Sequence, residues 1–418
     1  MSSKSNYAWV ILAVTWLGFL GVGLIRFVYP YVVPAMEEAL GISHVVMATV
    51  ISSFFWADTV MRIVWGNLTD RFGTRTVTLI GLVLLAGGFF YMSVATTVFG
   101  LSLGFAVAGM GAAALFILPA PLLSRWFGQR RRSTAIGIAT TAATIVTIVA
   151  GFIIPRVLAA NPYQVIWRTE GIIILVILAL EFLFLVNSPA EKGLTPYGAT
   201  EEELAALRAQ ARGGGGSAWG RQSIVRVLQD KAFYQIAGSY FLYGVGYTGV
   251  LTFLASYFQE VGWSAAMAGQ LIALSGISSL IAVVFWGAVG DRVAKRYVFG
   301  LGMAILGLGT LLLAVGGHTA TFAYLGTILF GLGGSSPVVM ISAIQADYFA
   351  KNIIGTSFGL CAACFSIASA VSPIIGGGLA DTTGSLRAAL LMGVAGSLIG
   401  AVIISLMGEP RTGKAAAK

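Results

Sequence analysis

The sequence predicts an all-α integral membrane protein: twelve transmembrane helices in two pseudo-symmetric six-helix bundles. Three observations lead there. Hydrophobic residues fill 57% of the 418 positions and charged residues 10%, against roughly 25% charged residues in soluble domains. Apolar runs of about 20 residues, the length that crosses a bilayer, recur along the whole chain. Finally, one polar loop is written twice, 221 residues apart: Gly66-Asn67-Leu68-Thr69-Asp70-Arg71-Phe72-Gly73-Thr74-Arg75 and Gly287-Ala288-Val289-Gly290-Asp291-Arg292-Val293-Ala294-Lys295-Arg296. Arg125-Trp126-Phe127 with Gly137, and Asp347-Tyr348-Phe349 with Gly359, repeat at nearly the same offset. Repeats of this size in a hydrophobic chain are how secondary transporters build a site near the membrane midplane.

The apolar runs place spans near 8–34, 46–66, 76–96, 99–122, 134–158 and 168–187 in the first half. The second half has them near 233–257, 266–287, 297–316, 321–345, 354–379 and 388–407. The first run is longer than the core of a signal peptide and no small-residue cleavage site follows it, so it is expected to stay in the membrane. With both termini inside, Arg156, Arg168 and Arg387 fall near the outer face and Arg26 and Arg62 within spans. The other 20 of the 25 lysines and arginines are then cytoplasmic. Glu37, Glu38, Glu170, Glu260 and Asp381 are placed outside. That positive-inside bias orients the chain in a cytoplasmic membrane and accounts for the net charge of +9, leaving no reason to invoke nucleic acid.

Residues 188–231 form the longest polar stretch and divide the chain into bundles at 1–187 and 232–418. Within this linker Thr200-Glu201-Glu202-Glu203-Leu204 reads as a helix start, with carboxylates favoured in the first turn. Gly213-Gly214-Gly215-Gly216-Ser217 reads as a flexible tether. Cys361 and Cys364 have C-x-x-C spacing, but with no histidine or further cysteine nearby they read as small hydrophobes. No metal or cofactor is expected, and no nucleophile, metal-ligand set or phosphate loop suggests an enzyme.

The loop Gly66–Arg75 resembles the conserved G-x-L-x-D-R-x-G-x-R segment of the major facilitator superfamily, between its second and third helices. Gly287–Arg296 resembles that superfamily's second, degenerate copy. The likeness covers essentially the whole chain and implies the major facilitator fold. It also implies an inner-gate role for Asp70, Arg71 and Arg75, with Asp291 and Arg292 as the repeat counterparts. Leu24-Ile25-Arg26-Phe27, Pro34-Ala35-Met36 and Ser53-Phe54-Phe55-Trp56-Ala57-Asp58 resemble the anion:cation symporter and organophosphate:phosphate antiporter branch. That branch places an arginine eight residues before a proline in helix 1 and uses it for the substrate's anionic group, a spacing that Arg26 and Pro34 keep. At Asp58 the branch usually carries a tyrosine.

The residues themselves point the same way. A guanidinium in the hydrocarbon region costs from about 2.5 to over 10 kcal/mol, so Arg26 is expected to face a cavity or a partner. Its planar fork fits a carboxylate, sulfonate or phosphate, the alternative being an arginine reaching outward to the headgroups. Asp58 is the natural counter-charge and a candidate for proton exchange, the alternative being a purely structural ion pair. Glu181 is a second candidate for proton coupling, although its place near the cytoplasmic end favours solvation at the interface. Arg62, one turn before the loop, is assigned to the inner gate. Internal symmetry maps Arg26 onto Tyr247, and Tyr240, Tyr243 and Tyr247 share one helix face that would contact the remainder of a substrate. The tyrosine segment contains no second arginine, which favours a carboxylate or sulfonate over a phosphate ester.

The expectation is therefore a monomeric transporter that carries a small organic anion with protons, or with sodium in their place, by alternating access. A drug:proton antiporter is the first alternative. Against it, Ala150-Gly151-Phe152-Ile153-Ile154-Pro155 lacks the glycine-proline motif of that group, and a cation exporter gains nothing from Arg26. A membrane sensor that binds without transporting is the second.

Overall fold

The computed structural model describes residues 6–200, 203–204, 221–349 and 353–409, without the side chains of residues 70 and 221–223. Glu201, Glu202 and the Gly213–Ser217 tether lie outside the described residues. The chain is helical throughout, with no strand among the described residues. Among the described residues, eleven helices are long and apolar enough to span a membrane. The run expected at 168–187 is α8, Gln164–Phe184, which stands apart by carrying Arg168, Glu170 and Glu181.

The first half comprises α1 (Tyr7–Phe27), α2 (Tyr29–Leu40), α3 (His44–Phe72), α4 (Thr74–Met92), α5 (Val98–Ile117), α6 (Pro119–Trp126), α7 (Gln129–Leu158) and α8. Prolines explain why the expected first and fourth spans are each two helices. Pro30 has no amide hydrogen to give the preceding turn, and the first span is interrupted at Val28, two residues beyond Arg26. Pro119 starts α6 and ends α5 in the same way. After the short α9 (Arg221–Leu228) come α10 (Lys231–Glu260), α11 (Ala265–Gly290), α12 (Lys295–Gly316), α13 (Ala320–Tyr348), α14 (Ile354–Thr383) and α15 (Arg387–Ser405). Pro337 and Pro373 are accommodated inside α13 and α14.

In lipid the seams depend on close contact rather than on hydrophobicity, so small residues mark them. In α4 a Cβ added at Gly88 would lie 2.6 Å from the Ala108 backbone of α5, and one at Gly81 2.7 Å from Ala114. Gly309 of α12 stands 2.7 Å from the Phe330 backbone of α13 by the same measure.

Two compact units result. The first is Met1–Tyr29, Trp56–Val146 and Asn161–Ser217; the second is Pro30–Phe55, Thr147–Ala160 and Ala218–Lys418. The second unit thus includes the ends of α3 and α7 that face away from the Gly66 loop, together with α2. Its internal contacts show why. The Ser52 hydroxyl donates to the Ala370 carbonyl at 2.7 Å. A Cβ on Gly377 would lie 2.8 Å from the His44 backbone, and one on Gly269 2.5 Å from the Pro155 ring. The amides of His44 and Val45, in the first turn of α3, donate to the two oxygens of Asp381 at 3.1 and 3.0 Å.

Candidate functional site

In the first unit α3 carries Asp58 with no exposed surface, packed where the charge must be met by protein. Arg62 follows one turn later on the same helix, and its Nη2 reaches Asp58 Oδ2 at 2.8 Å. From α1, Arg26 Nη2 reaches the same oxygen at 2.6 Å. The two guanidiniums share one aromatic neighbour: Arg62 lies 4.1 Å and Arg26 5.4 Å from the centroid of the Phe116 ring, whose face attracts cations. Both arginine side chains are largely covered, 12% and 14% exposed. One carboxylate oxygen thus meets two guanidiniums in a poorly hydrated place. Arg26 and Asp58 therefore meet as their sequence setting suggests, and Arg62 meets Asp58 at the same oxygen.

The second unit contains the tyrosine face. Tyr240, Tyr243 and Tyr247 stack along α10 with ring centroids 5.6 and 5.5 Å apart and planes tilted by 16° and 26°. Phe365 of α14 continues the stack against Tyr240 at 5.0 Å, and Phe330 of α13 against Tyr247 at 5.3 Å. Tyr243 is buried and its hydroxyl donates to the Gly334 carbonyl at 2.8 Å, so it offers a ring edge rather than an available hydroxyl. Gly334 is required here: a Cβ would stand 2.7 Å from the Tyr247 ring. Tyr240 and Tyr247 are partly exposed.

Two carboxylates are not where hydropathy puts them. Glu181, expected at the solvated interface, is 1% exposed. It lies against α1 at Gly18, where any side chain would collide with Glu181 Oε1, and its Oε2 has no hydrogen-bond partner among the described residues. Glu170, expected on the outer surface, is 3% exposed, and neither carboxyl oxygen has a hydrogen-bond partner among the described residues. Glycine at 171 lets the Phe90 ring come within 3.1 Å of the position of its missing Cβ, and one turn earlier Trp167 stacks on Phe89, so aromatic cover replaces water there.

Of the expected inner gate, the Asp70 side chain lies outside the described residues. Arg71 is exposed, its guanidinium 5.3 Å from the Phe72 ring. Arg75 ties α4 to the end of α8: its amide donates to Asn187 Oδ1 at 2.7 Å and its Nη2 to the Phe182 carbonyl at 2.6 Å. Gly73, at φ 80°, turns the chain between α3 and α4 in a conformation that side chains resist. In the second copy Asp291 and Arg292 are exposed, because α11 ends at Gly290 and leaves them in a turn. The ion pair there is Lys295 with Asp347, at 2.7 Å, a partnership the repeat letters alone do not reveal.

The second unit also holds a cavity of about 290 Å³ lined by Glu37, His44, Ser256, Gln259, Glu260 and Ser385, among others. His44 Nδ1 lies 2.8 Å from Glu37 Oε1, and Glu260 accepts from the Ser385 hydroxyl and the Leu386 amide.

The family model described as Major Facilitator Superfamily matches residues 15–233 and 236–418. The chain belongs to the major facilitator superfamily. Among its relatives, the hexuronate transporter of Escherichia coli K12 is 25% identical over 424 residues, covering 97% of this chain and 94% of that protein. Monocarboxylate transporter 13 of Rattus norvegicus is 27% identical over 344 residues, covering 81% and 74%. A crystal structure of a D-xylose-proton symporter matches with a TM-score of 0.77 at 14% identity, over 97% of this chain and 99% of that one. An inward-facing, unoccupied bacterial homologue of the lysosomal transporter Spinster matches at 0.72 and 14%, over 96% and 95%. These likenesses establish the twelve-helix fold of this multi-pass membrane protein.

Proposed function

We propose that the protein is a secondary active transporter that moves a small organic anion, a carboxylate or sulfonate, into the cell together with protons. The observation that carries this reading is the single Asp58 carboxylate shared by Arg26 and Arg62. Two guanidiniums gathered at one carboxylate disfavour a cationic drug and present planar donor forks to a monoanion. The hexuronate and monocarboxylate relatives are consistent with it.

In this reading Arg26 binds the anionic group. Arg62 holds Asp58 while it does so, and Asp58 takes up a proton when the substrate replaces it as partner of Arg26. Tyr240 and Tyr247 contact the remainder of the substrate, and Tyr243 supports them from behind. Asp70, Arg71 and Arg75 serve the inner gate, with Lys295 and Asp347 as their second-half counterpart in place of Asp291 and Arg292. The halves 1–187 and 232–418 alternate access across the cytoplasmic membrane as a monomer, with both termini inside.

Purified protein in liposomes tests this directly. Labelled glucuronate, lactate, an alkyl sulfonate and a lipophilic cation are offered under an inward proton gradient, a sodium gradient or none. Accumulation of one anion class under the proton gradient supports the proposal. Cation movement, or accumulation driven by sodium alone, contradicts it.

A further inference from the structure

We infer that the first unit holds a second proton-binding site, Glu181 in a small pocket at the seam of α1 and α8. The inference rests on the proton-coupled reading above and adds a site to it. The pocket is lined by Thr15 and Gly18 of α1, Thr78 of α4, Leu115 of α5, Leu122 of α6 and Glu181 of α8, with other apolar groups. Its free space is about 10 Å³, close to what a single water needs.

The hydrogen-bonding inventory of this pocket is lopsided. The Thr15 hydroxyl donates to the Ile11 carbonyl at 2.7 Å, and the Thr78 hydroxyl to the Thr74 carbonyl at 2.9 Å. Both threonines turn their protons back onto their own helices and can offer the pocket only lone pairs. No charged residue lines it apart from Glu181 itself. Arg75, on the same helix as Thr78, is engaged with the Phe182 carbonyl and stands 5.7 Å over the Phe182 ring, outside the lining. Arg125 of α6 is exposed. A carboxylic acid, with an O–H to donate, suits such surroundings. A carboxylate, needing donors, does not.

Gly18 makes the seam responsive. Any side chain there would meet Glu181 Oε1, so the acid closes directly on the α1 backbone. An ionised, hydrated carboxylate needs more room than one water provides, and the helices must part at Gly18 to supply it. Helix α1 also carries Arg26, eight residues further on. Protonation of Glu181 and the position of the anion-binding helix are therefore linked. On release the carboxyl O–H breaks, the electron pair stays on the carboxylate and the proton passes to a water molecule as hydronium. Uptake reverses this.

With Asp58 and Glu181 each carrying a proton, a monoanion enters with two, and each cycle moves one net positive charge inward. The experiment is uptake of labelled lactate and glucuronate into proteoliposomes under a pH gradient, with the membrane potential set by a potassium gradient and ionophore. The wild-type protein is expected to be accelerated by an inside-negative potential, and Glu181→Gln to lose that acceleration while still accumulating the anion. Equal voltage dependence in both would overturn the proposal. A second measurement stands apart from transport and from the fate of the variant. Wild-type protein is treated with a hydrophobic carbodiimide, which reacts with protonated buried carboxyls, and the labelled residue is mapped by mass spectrometry across pH. Labelling at Glu181 that declines as pH rises supports the site; labelling that is absent, or constant with pH, refutes it. If neither anion moves in the wild type, the substrate reading fails while the labelling still decides this one.

Discussion

In the first unit two arginines meet at one buried carboxylate, whereas in the second aromatic rings stack face to face, with Tyr243 tied to a backbone carbonyl. Asp58, Arg26 and Arg62 share two short contacts to one oxygen. Tyr240, Tyr243, Tyr247, Phe330 and Phe365 share a ladder of offset faces at 5.0 to 5.6 Å. The contrast teaches that the two regions answer different demands. A charge cluster selects by sign and acts over several ångströms in a low dielectric. A ring stack selects by shape, and each ring contributes about 0.5–1.5 kcal/mol beyond its burial. Under the proposed function, sign discrimination belongs to the first unit and shape discrimination to the second.

The largest effect expected on this comparison comes from removing the shared acid. Asp58→Ala leaves two guanidiniums facing each other over Phe116, and a thermal or denaturant melt in detergent should show a loss of about 3–5 kcal/mol. Arg26→Ala should behave in the opposite manner. Asp58 and Arg62 remain a neutral pair, so folding changes little, while anion affinity falls by the worth of a charge-assisted hydrogen bond, about 1.5–3 kcal/mol or roughly 10- to 150-fold. Titration calorimetry on the variant checks that separation of stability from binding.

In the second unit Gly334→Ala pushes a methyl group onto the Tyr247 ring and should cost about 1–3 kcal/mol of stability by overpacking. The effect on affinity should be similar for anions of the same shape, whatever their charge. Smallest is Tyr243→Phe, which removes one hydroxyl bond to the Gly334 carbonyl and should cost about 1 kcal/mol in a melt. If Tyr243→Phe cost more than Asp58→Ala, the contrast between the regions would be wrong.

Much of this was legible before any coordinates. A charged side chain inside a 20-residue apolar run is too costly to be incidental, which is why Arg26 and Asp58 stood out and are found together. Arg62 was equally visible, but one turn separates it from Asp58 and one from the Gly66 loop, and spacing cannot say which neighbour wins. Glu170 and Glu181 were misplaced for a related reason. Hydropathy assigns a carboxylate near the end of an apolar run to water, whereas burial here depends on neighbours distant in sequence, Gly18 at Glu181 and the Phe90 ring beside Glu170. The repeated loop carried the letters of Asp291 and Arg292 but not the helix end at Gly290, which left those residues in a turn and moved the ion pair to Lys295 and Asp347. Helix periodicity placed the three tyrosines on one face. That Tyr243 is engaged by Gly334 depended on a helix almost a hundred residues away.

The central claim is that Arg26, beside Asp58, receives an anion, and a thermal-shift series tests it most directly. Purified wild-type protein and Arg26→Ala are melted with carboxylates, sulfonates, phosphate esters, neutral sugars and lipophilic cations. A true ligand at 100 times its dissociation constant raises stability by about 2.7 kcal/mol. The account predicts stabilisation by carboxylates or sulfonates in the wild type and its loss in Arg26→Ala. Stabilisation by cations, or by an anion to the same degree in both proteins, would contradict it.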